Sequence, residues 1–293
     1  MIRSCLFAIL IFLSTVTLPL QAEVPLSPYP EFEVDLVDLR HVAFQIELSS
    51  HFQTGQKRRG VLYRDAVQIG KFSVPAQPPR LFHDRGIAVA GKHIYDLVIF
   101  EDEDDIYRYR KEIDTKRVRG NIREDTQWRE SRQIADDIVV HEETRLGIGG
   151  KSQVTISGIS GIPLKDATTL NIGPNSLIET FIKGASSSRN STVIIEEATV
   201  ISSIRDIGHL SLTGSYLDGP GGIAAHTLVA FHDNQGRCSK SHYGRISFKT
   251  AEKDRIDITD NRLPDCEVTL DLKPVESNIR IKNNQFGARG SCT

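Results

Sequence analysis

Residues 168–183 reappear in altered form 23 residues later, and a spacing of this size restricts the chain to stacked, similar units rather than one compact core. Thr169-Leu170-Asn171-Ile172 aligns with Thr192-Val193-Ile194-Ile195, Leu177-Ile178 with Val200-Ile201, and Phe181 with Ile204. The same spacing returns near the C-terminus. There Ile256-Asp257-Ile258 aligns with Ile279-Arg280-Ile281, Asp260-Asn261 with Asn283-Asn284, and Leu263 with Phe286.

The repeated units are short. From Ile138 onward the pattern apolar-x-apolar recurs at Leu146/Ile148, Val154/Ile156, Leu170/Ile172, Val193/Ile195, Leu210/Leu212, Ile246/Phe248, Ile256/Ile258, Val268/Leu270 and Ile279/Ile281. Alternation of period two points both apolar side chains of each pair to one face of a strand. Small or turn-forming residues follow most pairs. Strands this brief cannot build a bundle, but wound as a coil they form a parallel β-solenoid filled by these residues. Residues 138–293 are therefore expected to be a parallel β-helix of six or seven turns, and the fold class all-β.

Ile256-Asp257-Ile258-Thr259-Asp260-Asn261-Arg262-Leu263 and Ile279-Arg280-Ile281-Lys282-Asn283-Asn284-Gln285-Phe286 resemble the rung motif of right-handed parallel β-helix proteins, a superfold that includes pectate-lyase-like enzymes. The resemblance covers roughly 138–288 and implies an architecture. It implies no catalytic residues, because no stretch matches an enzymatic motif of that group.

The first half reads differently. Residues 1–22 have the plan of a secretory signal: Arg3, an apolar run from Cys5 to Leu13 too short to span a bilayer, and Leu20-Gln21-Ala22 before the cut. Secretion or a periplasmic location follows, and no membrane span is expected in the mature chain. Alternating runs such as Val67–Val74 and Tyr95–Phe100, bounded by Gly, Pro and Asp, predict a small β-rich region over 23–100. Over 101–137 the acidic run Glu101-Asp102-Glu103-Asp104-Asp105 precedes Arg108, Arg110, Lys111, Lys116 and Arg117, with Gly120 beyond. Acid first, base last and Gly after suit a helix dipole and C-cap, and Ile106, Tyr109 and Ile113 share a helical face. This segment is expected to be a charged helical connector whose later part, with Trp128 turned inward, caps the solenoid.

Charge and cysteines narrow the function classes. Net charge is −2, and removal of the leader with Arg3 makes it −3, which argues against a nucleic-acid partner. Three cysteines remain after the leader: Cys238, Cys266 and Cys292. One 23-residue step from Cys266 reaches positions 243 and 289, so all three fall near one turn of successive repeats. A disulfide from Cys266 to Cys238 or Cys292 is expected, with one thiol left over.

Candidate chemistry lies on the outward positions. Adding one period stacks Asp257 under Arg280, Lys183 under Asp206, and Asp260-Asn261 under Asn283-Asn284. Arg255, Asp257, Arg262 and Arg280 form the densest grouping with the acids and guanidiniums that recognise sugar hydroxyls and uronates. The same positions also read as cross-turn ion pairs and an asparagine ladder. A second set, His226, His232, Cys238 and His242, matches no standard zinc spacing, and no metal or other cofactor is assigned. It falls in a segment, Gly219 to His242, that reads as a long loop between turns. The function these features favour is binding or scaffolding of a polysaccharide or cell-surface partner. The alternative is a lyase or glycoside hydrolase acting on an acidic glycan, although no carboxylate pair at hydrolase spacing is visible.

Overall fold

The computed structural model describes residues 31–48, 58–74, 80–150, 153–158, 161–184, 190–238, 245–249, 256–271 and 279–287. Among these residues no helix forms, and the chain from about residue 120 to 286 winds as a parallel β-solenoid of about six turns. Each turn contributes a strand to each of three faces. The first face carries Arg145–Ile148, Thr169–Ile172 and Thr192–Glu196 and runs on to Ile256–Thr259 and Ile279–Lys282. The second carries strands such as Ser176–Ile178, Gln235–Arg237 and Arg262–Leu263, and the third Ile162–Leu164, Ile182–Gly184 and the first half of Ile204–Thr213.

The apolar pairs fill the interior. Leu146, Leu170, Val193 and Leu210 stack in register and are all fully buried, as are Ile148, Ile172, Ile195 and Leu212 beside them. Each such side chain contributes roughly 1.5–3 kcal/mol by leaving water, so the column of turns is held by its stacked interior. The 23-residue step holds from Thr169 to Thr192 and from Ile256 to Ile279. Elsewhere the corners stretch or shrink, giving a step of 24 from Arg145 to Thr169 and of 17 from Thr192 to His209.

That variability shifts the expected neighbours of residues 177–183 by one. Ile182 stacks on Ile204, and Lys183 on Arg205 rather than on Asp206; likewise Leu177 meets Thr199 and Ile178 meets Val200. A one-residue slip would turn every inward side chain outward. Burial of Ile182 and Ile204 therefore fixes the local step at 22.

The charged connector over 101–137 is not helical. Asp104–Asp114 forms an antiparallel hairpin with Lys92–Glu101, closed by a turn in which Asp102 has φ 55°. Tyr107, Tyr109 and Ile113 face the N-terminal core at intervals of two and four, while Arg108, Arg110 and Glu112 are exposed. Period two, with ion pairs Arg110–Asp96 (2.7 Å) and Lys92–Glu112 (2.8 Å) across the hairpin, prevails over the helical spacing of the same side chains. Gly120 does not cap a helix. It sits in the strand Arg117–Ile122 at φ 99°, where a Cβ would lie 2.1 Å from the Asp35 carbonyl oxygen.

This close approach joins the two halves of the molecule. Arg117–Ile122 pairs in parallel with the solenoid strand Arg132–Val140 on one edge and antiparallel with Glu31–Asp38 on the other. His41–Glu47 and Arg80–Asp84 continue that sheet, so the open N-terminal edge of the solenoid is covered by antiparallel strands. A separate four-stranded sheet, Val67–Val74, Arg58–Arg64, Lys92–Glu101 and Asp104–Asp114, encloses a second core around Phe32, Phe44, Tyr95 and Leu97. Trp128 points inward as expected, fully buried, with its indole N–H donating to Asp38 Oδ2 at 3.2 Å; the cover itself is the Glu31–Asp38 sheet.

The described part of the segment expected to be a loop, residues 219–238, is mostly strand. Gly222–His232 and Gln235–Arg237 lie within it and belong to the third, first and second faces. Cys238 bonds to Cys266, 28 residues on, with Cα atoms 5.0 Å apart, while Cys292 lies outside the described residues.

Candidate functional site

The grouping Arg255, Asp257, Arg262 and Arg280 divides across two faces. Asp257 and Arg280 stack in register on the first face, with Arg280 Nη1 3.8 Å from Asp257 Oδ2. Arg262 stands around the corner on the second face, in an exposed row between Gln235 and Gln285. Arg255 lies outside the described residues. The corner between the faces is closed by Asn261 and Asn284, whose amides bond to one another and to the backbone. The arginine of the first face is thus already opposed by a carboxylate, and Arg262, the other described arginine of the grouping, stands on a different face.

Among the described residues the zinc-like set is not brought together. Cys238 is consumed by the disulfide, and His232 Nδ1 lies 3.1 Å from the Asp233 carboxylate next to it in sequence. His226 lines a different depression, on the third face, and His242 is outside the described residues.

On the third face the sequence is read by its true step. Pro163, Lys183 and Arg205 form one outward row, so two cations sit on adjacent strands, about 4.8 Å apart. Elsewhere among the described solenoid residues, cross-turn ion pairs join opposite charges: Arg237–Asp218 at 2.9 Å, Arg245–Glu267 at 3.2 Å and Arg280–Asp257 at 3.8 Å. Among the described residues neither Lys183 nor Arg205 makes an ion pair. Like charges directly opposite one another cost stability, so this pair is at odds with the rest of the scaffold.

The backbone here is shaped for access. Between Ile204 and Ile207 the register shifts, so that Arg205 and Asp206 together oppose one residue of the next turn, a β-bulge in which Asp206 takes φ 57°. Bulges of this kind bend the strand and re-aim its side chains. Gly184 permits the close fit, since a Cβ there would lie 2.0 Å from the Asp206 carbonyl oxygen. The result is a depression of about 460 Å³ lined by Phe181, Ile182, Lys183, Ser202, Ser203, Arg205 and Asp206. Asp206 also lines an adjoining hollow of about 150 Å³ with Ala224, Ala225, His226 and Ser247. Chemically the surface offers two cations, hydroxyls, one carboxylate, one imidazole and an aromatic ring.

Sequence reasoning missed Lys183 over Arg205 because a uniform 23-residue step gave Lys183 an acidic neighbour and read a neutral pair. The signal that finds it is the inward alternation: aligning buried Ile182 with buried Ile204 sets the step before any charge is considered.

The fold defines the chain as a β-helix repeat protein, with a disulfide bond near its C-terminal turns. No helix among the described residues is long and apolar enough to cross a membrane. No protein-family model, curated protein or solved structure matches the chain.

Proposed function

We propose that this is an exported β-helix protein that binds or scaffolds an acidic polysaccharide along its third face. The observation that carries this reading is the Lys183–Arg205 row, which makes no ion pair among the described residues, beside Phe181 and the Ser202-Ser203 hydroxyls. Guanidinium and ammonium groups on successive turns meet successive carboxylates of an extended uronate chain, and the aromatic ring packs against a sugar face. Export is read from the leader 1–22, with which the Cys238–Cys266 disulfide is consistent.

A cleaving enzyme is the second reading, because Asp206 and His226 share a hollow beside the cations. Such an acid and imidazole can exchange a proton next to a neutralised carboxylate. One experiment addresses both readings. The exported protein is titrated with polygalacturonate and with a neutral glucan, while unsaturated uronate product is followed by its ultraviolet absorbance. Binding to the acidic polymer alone, weakening with added salt and without product, is the expected result. Equal affinity for the neutral glucan overturns the charge-based reading, and steady formation of product replaces scaffolding with lyase activity.

A further inference from the structure

Three side chains far apart in sequence converge where the N-terminal sheet meets the solenoid. His41 opens the strand His41–Glu47, and His83 lies on its antiparallel neighbour Arg80–Asp84. Ala43 sits directly opposite His83, so His41, two residues earlier on the same face, is its diagonal neighbour. Glu124 comes from the segment that follows Arg117–Ile122 and leads into Thr126–Trp128, at the beginning of the solenoid. His41 Nε2 and His83 Nδ1 are 3.0 Å apart, and the ligand atoms of all three residues lie within 4.8 Å of one another.

We infer that His41, His83 and Glu124 form a binding site for a divalent transition-metal ion, with zinc as the fitting probe. Nitrogens bound to zinc at about 2.0–2.1 Å in tetrahedral geometry stand about 3.3 Å apart, so the two imidazoles are already near the bite of a shared ion. The carboxylate supplies a third ligand and is held in place: Arg85 Nη2 donates to Glu124 Oε1 at 2.5 Å, leaving the second oxygen for the metal. Second-sphere contacts of this kind orient ligating groups. His41 is half-buried while His83 and Glu124 are exposed, which leaves a path for the ion and an open coordination position. Two imidazoles and one carboxylate suit zinc, nickel, cobalt or copper, whereas calcium and magnesium require a shell of oxygens.

The site has a structural consequence. Two ligands belong to the covering sheet and the third to the start of the solenoid, so a bound ion fastens the cover to the coil. Metal binding is then also stabilisation of the fold.

The test is a calorimetric titration of the untagged exported protein with zinc chloride, together with thermal unfolding in zinc and in a chelator. One ion per chain is expected, with a rise in unfolding temperature that calcium does not reproduce. His41→Ala and His83→Asn each weaken binding by at least tenfold and abolish the thermal shift, Glu124→Gln weakens it less, and His232→Ala leaves both unchanged. Because His83 is exposed, the far-ultraviolet circular dichroism of His83→Asn should match that of the parent and separate loss of ligand from loss of fold. The visible absorption of the cobalt-loaded protein should vanish in the same variant. Absence of zinc binding, or binding that persists undiminished in His41→Ala and His83→Asn, overturns the inference.

Discussion

At the scale of single residues, Asn261 shows how side chains hold the corners of the coil. It is fully buried; its Nδ2 donates to the Phe231 carbonyl at 2.7 Å and to Asn284 Oδ1 at 2.8 Å, and its Oδ1 accepts from the Asn234 backbone N–H at 3.1 Å. Asn234 repeats the arrangement one turn earlier and Asn284 one turn later. Each follows a corner residue in the left-handed region, Asp233, Asp260 and Asn283, a conformation that Asp and Asn tolerate better than most side chains. Removing a rung of such a ladder leaves buried donors and acceptors unpaired at about 1–3 kcal/mol each. Asn261→Ala should therefore lower stability by roughly 2–4 kcal/mol, measured by denaturant unfolding; a loss below about 0.5 kcal/mol would contradict the ladder. Asn261 over Asn284 was legible in the sequence because a constant step relates them. Asn234 was not, since it lies 27 residues from Asn261, although the Asp233-Asn234 dipeptide carries the same corner chemistry. A search at variable spacing for Asn preceded by Asp or Asn finds all three corners.

At the scale of elements, the sequence conveyed strand direction and face better than register or boundaries. The solenoid strands were readable because apolar-x-apolar admits few other structures when it recurs so often. The hairpin ending at Asp114 was not, because Ile106, Tyr109 and Ile113 satisfy helical spacing while Tyr107, Tyr109 and Ile113 satisfy strand spacing. Only the partner strand Lys92–Glu101, which places Asp96 opposite Arg110 and Lys92 within diagonal reach of Glu112, decides between them. The disulfide belongs to the same scale. Cys238 follows the second-face strand Gln235–Arg237, and Cys266 lies at the corner between Arg262–Leu263 and Glu267–Asp271, with both sulfurs buried. A cross-link of this span restricts the unfolded chain, and its loss costs about 2–4 kcal/mol. Reduction, or a Cys238→Ser/Cys266→Ser double variant, should lower the free energy of unfolding by that amount, with a lower midpoint and a somewhat steeper slope because the released unfolded chain exposes more surface. An unchanged midpoint would mean that the bond constrains nothing the stacked turns do not already fix.

At the scale of the molecule, two cores meet at one seam. The solenoid interior reaches from Trp128 and Ile138 to Leu263 and Val268, and the N-terminal core gathers around Phe32, Phe44 and Tyr95. Between them Asp38 accepts from the Trp128 indole and lies 3.1 Å from Arg132, a buried polar contact at the seam that the proposed metal ligands flank. The seam was illegible in the sequence, since it depends on antiparallel pairing between residues some eighty positions apart. The third-face row was illegible for a smaller reason, a single residue in the step from Lys183 to Arg205. That single residue moves the candidate ligand surface from the first face to the third. The most direct measurement compares the two faces: polygalacturonate is titrated into the parent protein, a Lys183→Glu/Arg205→Glu variant and an Arg280→Glu variant under identical salt. The third-face variant should lose roughly 100-fold in affinity, about 1.4 kcal/mol for each reversed cation, while Arg280→Glu stays within about twofold of the parent. Undiminished binding by the third-face variant, or a loss confined to Arg280→Glu, would contradict the account.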